Sequence, residues 1–360
     1  MTHSHSFTAR LDIQPIIQAP MAGVSTPQLA AAVSSAGGLG SLGIGASTAT
    51  QAALMIDETR ALTSRPFNVN VFCHAPAARN VQREDAWLRH LAPLFAGVDA
   101  QTPIALDEIY KSFIDGTEVF ELLLQKRPAV VSFHFGLPSM EQINALRAAG
   151  IFTLATATSL AEAASIEASG IDAIIAQGVE AGGHRGVFNP DGPDEQLGTT
   201  ALLSLLLKHT KLPVIAAGGI MDGRGIQAAL AAGAAAAQLG TAFVLCPESS
   251  ANTAYRSALK SEAAATTRLT SAFSGRPARG IANSFITHCE KSGSPRPAAY
   301  PVAYDAAKQL NTVAAKQGNN SFAAHWAGTG APLARALPAA QLLATLIEEM
   351  QQAQQTVKHQ

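Results

Sequence analysis

Charged side chains are scarce in this chain: Asp, Glu, Lys and Arg make up 14% of its 360 residues, against roughly a quarter in ordinary soluble domains. With a net charge of −1 and a pI near 6.8, there is no electrostatic footprint for nucleic acid or an anionic membrane, so neither partner is expected. Cysteine is rare too. Cys73, Cys246 and Cys289 are odd in number and lack CxxC spacing, which indicates neither a zinc knuckle nor a disulfide framework and makes a reducing cytoplasm the expected compartment. No apolar run reaches about 18 residues, and the opening MTHSHSFTARLDIQ has no apolar h-region, so neither a membrane span nor secretion is predicted. His3 and His5 are expected in a frayed end.

What the chain has instead is small apolar bulk: 48% hydrophobic residues, rich in Ala, with 29 glycines. The length suits one barrel of about 250 residues with an appendage, or two ordinary domains. The most organised stretch is Pro213 to Val244, PVIAAGGIMDGRGIQAALAAGAAAAQLGTAFV. A short apolar strand ends in Gly218 and Gly219, an Ala-rich helix follows, and a second strand ends in Gly240 and Thr241. Two successive βα loops therefore present backbone N–H groups at one end of a sheet, where helix N-termini add positive potential for an anion. In (β/α)₈ barrels the loops after strands 7 and 8 commonly hold phosphate, so this stretch is expected to be the end of such a barrel.

The remaining strands recur on a compact βα period: Ile13–Gln18, a Gly-rich second strand within 37–45, then 67–72, 129–135, 152–156 and 172–177. The segment GGLGSLGIG contains a formal GxGxxG at Gly38, Gly40 and Gly43. It follows a helix and lacks the downstream acid, so it is not read as a dinucleotide fingerprint. The predicted fold is an α/β (β/α)₈ TIM barrel over residues 1–246, with an insertion over about 75–127 after strand 3. Residues 247–360 are expected to form a helical extension packing on the barrel mouth, with a helix from Pro301 to Gln317 and a closing helix near 337–357.

Polar groups cluster at predicted C-terminal strand ends: Asn70, His134 and Gln177. Neutral amides there suit a flat hydrogen-bonding ring system better than a metal. His184 sits on a βα loop beside Gly182 and Gly183, where backbone can approach a ligand and the imidazole can reach it. No second His, Cys or carboxylate stands at ligand spacing from it, so no metal site is predicted. Tyr300, Tyr304 and Lys308 share one face at the start of the Pro301 helix, and Tyr110 lies in the insertion. Phenols with an ammonium can bind an anionic substrate through charge-assisted hydrogen bonds.

The segments QAPMAGVSTPQLAAAVSSAGGLGSLG, PFNVNVFCH, EAGGHRG and AAGGIMDGRGIQAALAAGAAAAQLGTAF resemble the four signature segments of class I nitronate monooxygenases. The resemblance covers nearly the whole barrel. It implies an FMN-dependent enzyme that oxidises alkyl nitronates with O₂ to a carbonyl product plus nitrite or nitrate, a detoxification role, with propionate 3-nitronate an expected substrate. It further implies that the backbone near Met21, with Asn70, Gln177, Gly182 and Gly183, meets the flavin ring and ribityl chain. Gly219, Gln238, Leu239, Gly240 and Thr241 would hold the phosphate, with Gly218 also binding the cofactor, and His184 occupies the position of the family's active-site histidine. Tyr110, His134, Tyr300, Tyr304 and Lys308 are the expected substrate contacts. An NAD(P)H-dependent quinone or enoyl reductase of the same superfamily, or a non-flavin phosphate-binding epimerase, is the competing reading. Oligomeric state is not legible.

Overall fold

The computed structural model describes residues 4–358. Eight parallel strands form its centre: β1 (Ile16–Gln18), β2 (Gly40–Gly43), β3 (Phe67–Phe72), β4 (Val130–His134), β5 (Phe152–Ala157), β6 (Ala173–Gln177), β7 (Val214–Ala217) and β8 (Ala236–Leu239). Strand β8 returns to pair with β1, and the single bridge between Ile17 and Leu39 closes the ring beside β2. The result is the (β/α)₈ TIM barrel that the βα period predicts.

Side-chain alternation divides each strand between two environments. Val69, Val71, Val131, Phe133, Ile174 and Val214 face outward into the layer of helices. Ile17, Leu154, Ile175 and Ile215 fill the lower lumen, which Phe7 seals from below. Phe7 lies on a helix spanning Ser4–Leu11, so His5, expected in a frayed end, falls within a helix; His3 lies outside the described residues. Above this apolar layer the inward positions turn polar: the Asn68 amide donates to Ser41 and Ser132, and Asn70 Nδ2 donates to Ser132 Oγ at 2.9 Å. Polar parity at the strand tops thus places hydrogen-bonding groups under the mouth.

The Gly-rich second strand is dictated by close packing. A Cβ at Gly40 would lie 2.0 Å from the carbonyl oxygen of Ala30, on the helix Pro27–Ser35 that Thr26 caps by accepting the N–H of Leu29. Only glycine permits that approach.

Two excursions from the barrel meet over its mouth. The insertion after β3 carries a helix, Val81–Ala96, whose Trp87, Leu91 and Phe95 pack with Phe273, Phe285, Val302 and Leu310 from beyond β8 in a second hydrophobic core. Polar ties reinforce it: Asp107 N–H donates to Asp305 at 2.9 Å, and Gln317 Nε2 donates to the Val98 carbonyl at 2.8 Å. Each excursion supplies the apolar face that the other lacks, so neither buries its own surface alone.

The segment after β8 departs from the expected helical extension in two ways. Thr267–Thr270 and Ala278–Ile281 form an antiparallel pair, and the second strand also pairs with Gly183–His184. The last helix, Ala339–Lys358, does not join the mouth. Its Leu342, Leu343 and Leu346 pack against Leu29, Val33 and Ile226 on the barrel wall, where an eighth barrel helix belongs. Residues 247–338 therefore interrupt the barrel between its last strand and last helix.

Candidate active site

A cavity of about 860 Å³ opens over the C-terminal ends of the strands. It is lined by Met21, Asn70, Tyr110, His134, Gln177, Gly182, Gly183, His184, Gly218, Gly219, Gln238, Gly240, Thr241, Tyr300, Tyr304 and Lys308, all anticipated from the sequence. Leu239 is the exception. The pleat turns its side chain outward against Leu342 and Phe243, so only its backbone could serve the site.

At the glycine-rich end, the N–H groups of Gly219, Gly240 and Thr241 have no hydrogen-bond partner among the described residues. Gly219 holds a left-handed backbone, φ +69, that a β-carbon would strain. Gly240 differs: a Cβ there would meet only Ala19 at 3.5 Å and Met21 at 3.8 Å, ordinary contacts. Nearby, Thr241 Oγ1 accepts the Gly328 N–H at 3.0 Å, which leaves its hydroxyl proton free. Gln238 Oε1 is buried without a partner among the described residues. Asn70 engages its amide nitrogen on Ser132 and leaves its oxygen without a protein partner. Unpaired buried groups of this kind are costly unless a ligand satisfies them.

His184 stands opposite this end, and much of the surrounding polar structure exists to place it. Gln177 Nε2 donates to the His184 carbonyl at 3.0 Å, and Gln177 Oε1 accepts the Gly186 N–H at 2.7 Å. His134 Nε2 lies 3.2 Å from the same carbonyl, which can only accept, while its Nδ1 lies 3.0 Å from Thr156 Oγ1. Both His134 nitrogens are therefore engaged by protein. His134, anticipated as a substrate contact, lines the cavity with both nitrogens turned to protein, one of them on the His184 carbonyl. Beneath the loop, the buried Arg185 pairs bidentately with Asp194 at 2.8 and 3.0 Å and donates to the Gln177 carbonyl. Glu180 accepts the N–H and hydroxyl of Thr199, capping the next helix.

The His184 ring lies 5.7 Å from Tyr300, 6.0 Å from Tyr304 and 5.3 Å from Trp326. Burial, with His134, Arg276 and His74 nearby, pushes its pKa down to about 3, so the imidazole is neutral at physiological pH.

Lys308 and the tyrosines form the opposite rim. The Lys308 ammonium sits 4.6 Å from the Tyr110 ring centroid and 5.5 Å from that of Tyr304. Burial holds the Tyr300 and Tyr304 phenols protonated, well above their usual range. Tyr255 and Trp326 are among the lining residues that escaped the sequence reading. Tyr255 donates its hydroxyl to the Trp326 carbonyl, and Trp326 Nε1 donates to the Tyr304 hydroxyl at 3.2 Å. All four tyrosines of the chain thus line one cavity. That scarcity was the available signal, since a buried phenol needs a polar environment for its hydroxyl.

The nitronate monooxygenase family profile matches residues 4–349. A nitronate monooxygenase of Pseudomonas aeruginosa is 57% identical over 345 residues, covering 96% of this chain and 98% of the relative. One of Paraburkholderia phytofirmans is 59% identical over 339 residues, covering 94% and 93%. Among solved structures, nitroalkane oxidase from Streptomyces ansochromogenes superposes with a TM-score of 0.90 at 44% identity, covering 98% of this chain and 99% of that one. The agreement runs through barrel, insertion and cap alike, and this chain belongs to the nitronate monooxygenase family.

Proposed function

We propose that this protein binds FMN and oxidises small anionic nitronates with O₂, giving a carbonyl product with nitrite or nitrate. One observation carries the reading: a single cavity joins the unpartnered N–H groups of Gly219, Gly240 and Thr241 to a rim of phenols and the Lys308 ammonium, with a neutral imidazole beside the phenols. The first set fits a phosphate, and the orphaned Gln238 Oε1 fits a hydroxyl donor of a ribityl chain. Asn70, Gln177 and the two loops that carry Met21 and Gly183 enclose the space between. When bound, FMN supplies the electron transfer that no side chain here can provide.

The protein's own residues bind and orient. Tyr110, Tyr300, Tyr304 and Lys308 present donors to an oxyanion, and the phenols do so without placing a full charge in the buried region. A nitronate is already deprotonated and needs no base, whereas a neutral nitroalkane must lose its α-proton, for which the neutral His184 is the acceptor. The second negative charge of propionate 3-nitronate would fall to Lys308. The aromatic cap of Tyr255, Tyr304 and Trp326 excludes bulk water.

The reading is tested by the visible spectrum of the purified protein and by nitrite plus nitrate release from ethyl nitronate and propionate 3-nitronate in air. A bound flavin near one per chain and oxygen-dependent release are expected; a colourless protein, or flavin without release, would overturn it. His184→Asn should retain flavin, slow nitronate turnover roughly tenfold through loss of a hydrogen bond to a charged substrate, and reduce use of neutral nitroalkanes further.

A further inference from the structure

The segment SGRPARG, Ser274 to Gly280, has no role in the reading above, yet it forms the wall behind His184. Antiparallel pairing sets Ala278 opposite His184 and Arg279 opposite Gly183, and Arg185 N–H donates to the Pro277 carbonyl at 2.8 Å. This register delivers Ser274, fully buried, to the imidazole: Ser274 Oγ lies 2.8 Å from His184 Nε2.

The same hydroxyl has two backbone partners with fixed roles. The Arg276 carbonyl, 3.1 Å away, can only accept, and the Arg276 N–H, 3.2 Å away, can only donate. A serine hydroxyl has one proton and two acceptors within reach here, and the Arg276 carbonyl has no other donor among the described residues, whereas the imidazole can exchange its donor and acceptor nitrogens. With the proton on the carbonyl, the oxygen offers His184 a lone pair and Nε2 carries the hydrogen. Nδ1 has no protein partner among the described residues, and the residue lines the cavity.

We infer that Ser274 is a positioning residue that locks His184 in its Nε2–H tautomer and so presents the Nδ1 lone pair to the substrate. The inference rests on His184 acting as the proton acceptor for neutral nitroalkanes. In that step the α C–H bond breaks, the proton passes to Nδ1, and its electron pair remains on the substrate as the nitronate. Before that transfer the groups facing His184 keep its ring neutral: His134 and His74 are held neutral by burial, Tyr300 and Tyr304 are protonated, and the Arg276 charge lowers the His184 pKa.

The test reads the ring directly. Protein labelled with ¹⁵N-histidine, its His184 signals assigned by their loss in His184→Asn, should show a protonated Nε2 and an unprotonated Nδ1 at pH 7. Ser274→Ala should mix the two forms and lower kcat on a neutral nitroalkane roughly fivefold, with much less effect on the corresponding nitronate. Ser274→Thr, which keeps the hydroxyl, should restore both. A protonated Nδ1 in the unmodified protein overturns the inference, and so does a Ser274→Ala variant with unchanged ring signals and unchanged nitroalkane turnover. If that variant does not fold, the spectrum of the unmodified protein decides. Because the spectrum needs no turnover, a chain that fails to oxidise nitronates but shows the Nε2–H ring refutes the activity and not the tautomer.

Discussion

The Lys308 ammonium lies 4.6 Å from the centroid of the Tyr110 ring, joining a helix beyond β8 to the insertion after β3. The cation has no carboxylate partner among the described residues and stands at the cavity rim. Lys308→Met should raise KM for propionate 3-nitronate roughly three- to fivefold, the scale of a solvent-screened ion pair, while ethyl nitronate is barely affected. Equal effects on the two substrates would return Lys308 to packing against the tyrosines.

Gly240 and Gly219 should fail differently. Gly240→Ala adds a methyl with only ordinary protein neighbours, so the stripped protein should melt as before while FMN occupancy falls. Gly219→Ala meets a left-handed backbone and should cost about 1 kcal/mol of stability in addition to flavin. Flavin per chain and the melting temperature of flavin-free protein separate the two cases. Full FMN occupancy in Gly240→Ala would place the phosphate elsewhere.

Acid should destabilise the fold through its buried imidazoles. Burial lowers the pKa of His184 to about 3, and of His74, His134 and His325 to about 4, from 6.5. Below about pH 6.5 the unfolded chain binds protons at these rings and the folded chain does not, so stability falls with pH until about pH 4 and these rings add no slope above 6.5. His74, buried with neither nitrogen partnered among the described residues, should contribute up to about 1.4 kcal/mol per pH unit. His74→Leu should flatten the decline in melting temperature between pH 6.5 and 4.5; an unaltered slope would assign it to other groups.

The cap should be separable from the barrel by its own core. Trp87 is fully buried against the segment that carries Tyr300 and Tyr304. Trp87→Ala should cost about 3–5 kcal/mol locally and raise KM for anionic nitronates, with flavin retained because the proposed phosphate end lies on β7 and β8. Loss of flavin in parallel with substrate affinity would show that cap and barrel unfold as one unit.

Local chemistry and tertiary structure divide this protein cleanly. The βα period, the Thr26 cap and the glycines after β7 and β8 were legible from residue order, because helix capping, strand alternation and tight turns act over a few residues. So was the lining of the cavity, since a parallel barrel brings every strand's C-terminal end to one place. The closing helix was legible as a helix but not as part of the barrel wall: its apolar stripe fits either surface, and only the vacancy between the helices Gly223–Ala231 and Pro27–Ser35 decides. The hydrogen-bond partners of His134 and Ser274 were likewise beyond reach of the sequence. Whether a histidine meets substrate or props a loop depends on where its two nitrogens point, and Ser274 meets His184 across 90 residues. That contact comes from an antiparallel register two strands outside the barrel, which no local periodicity encodes.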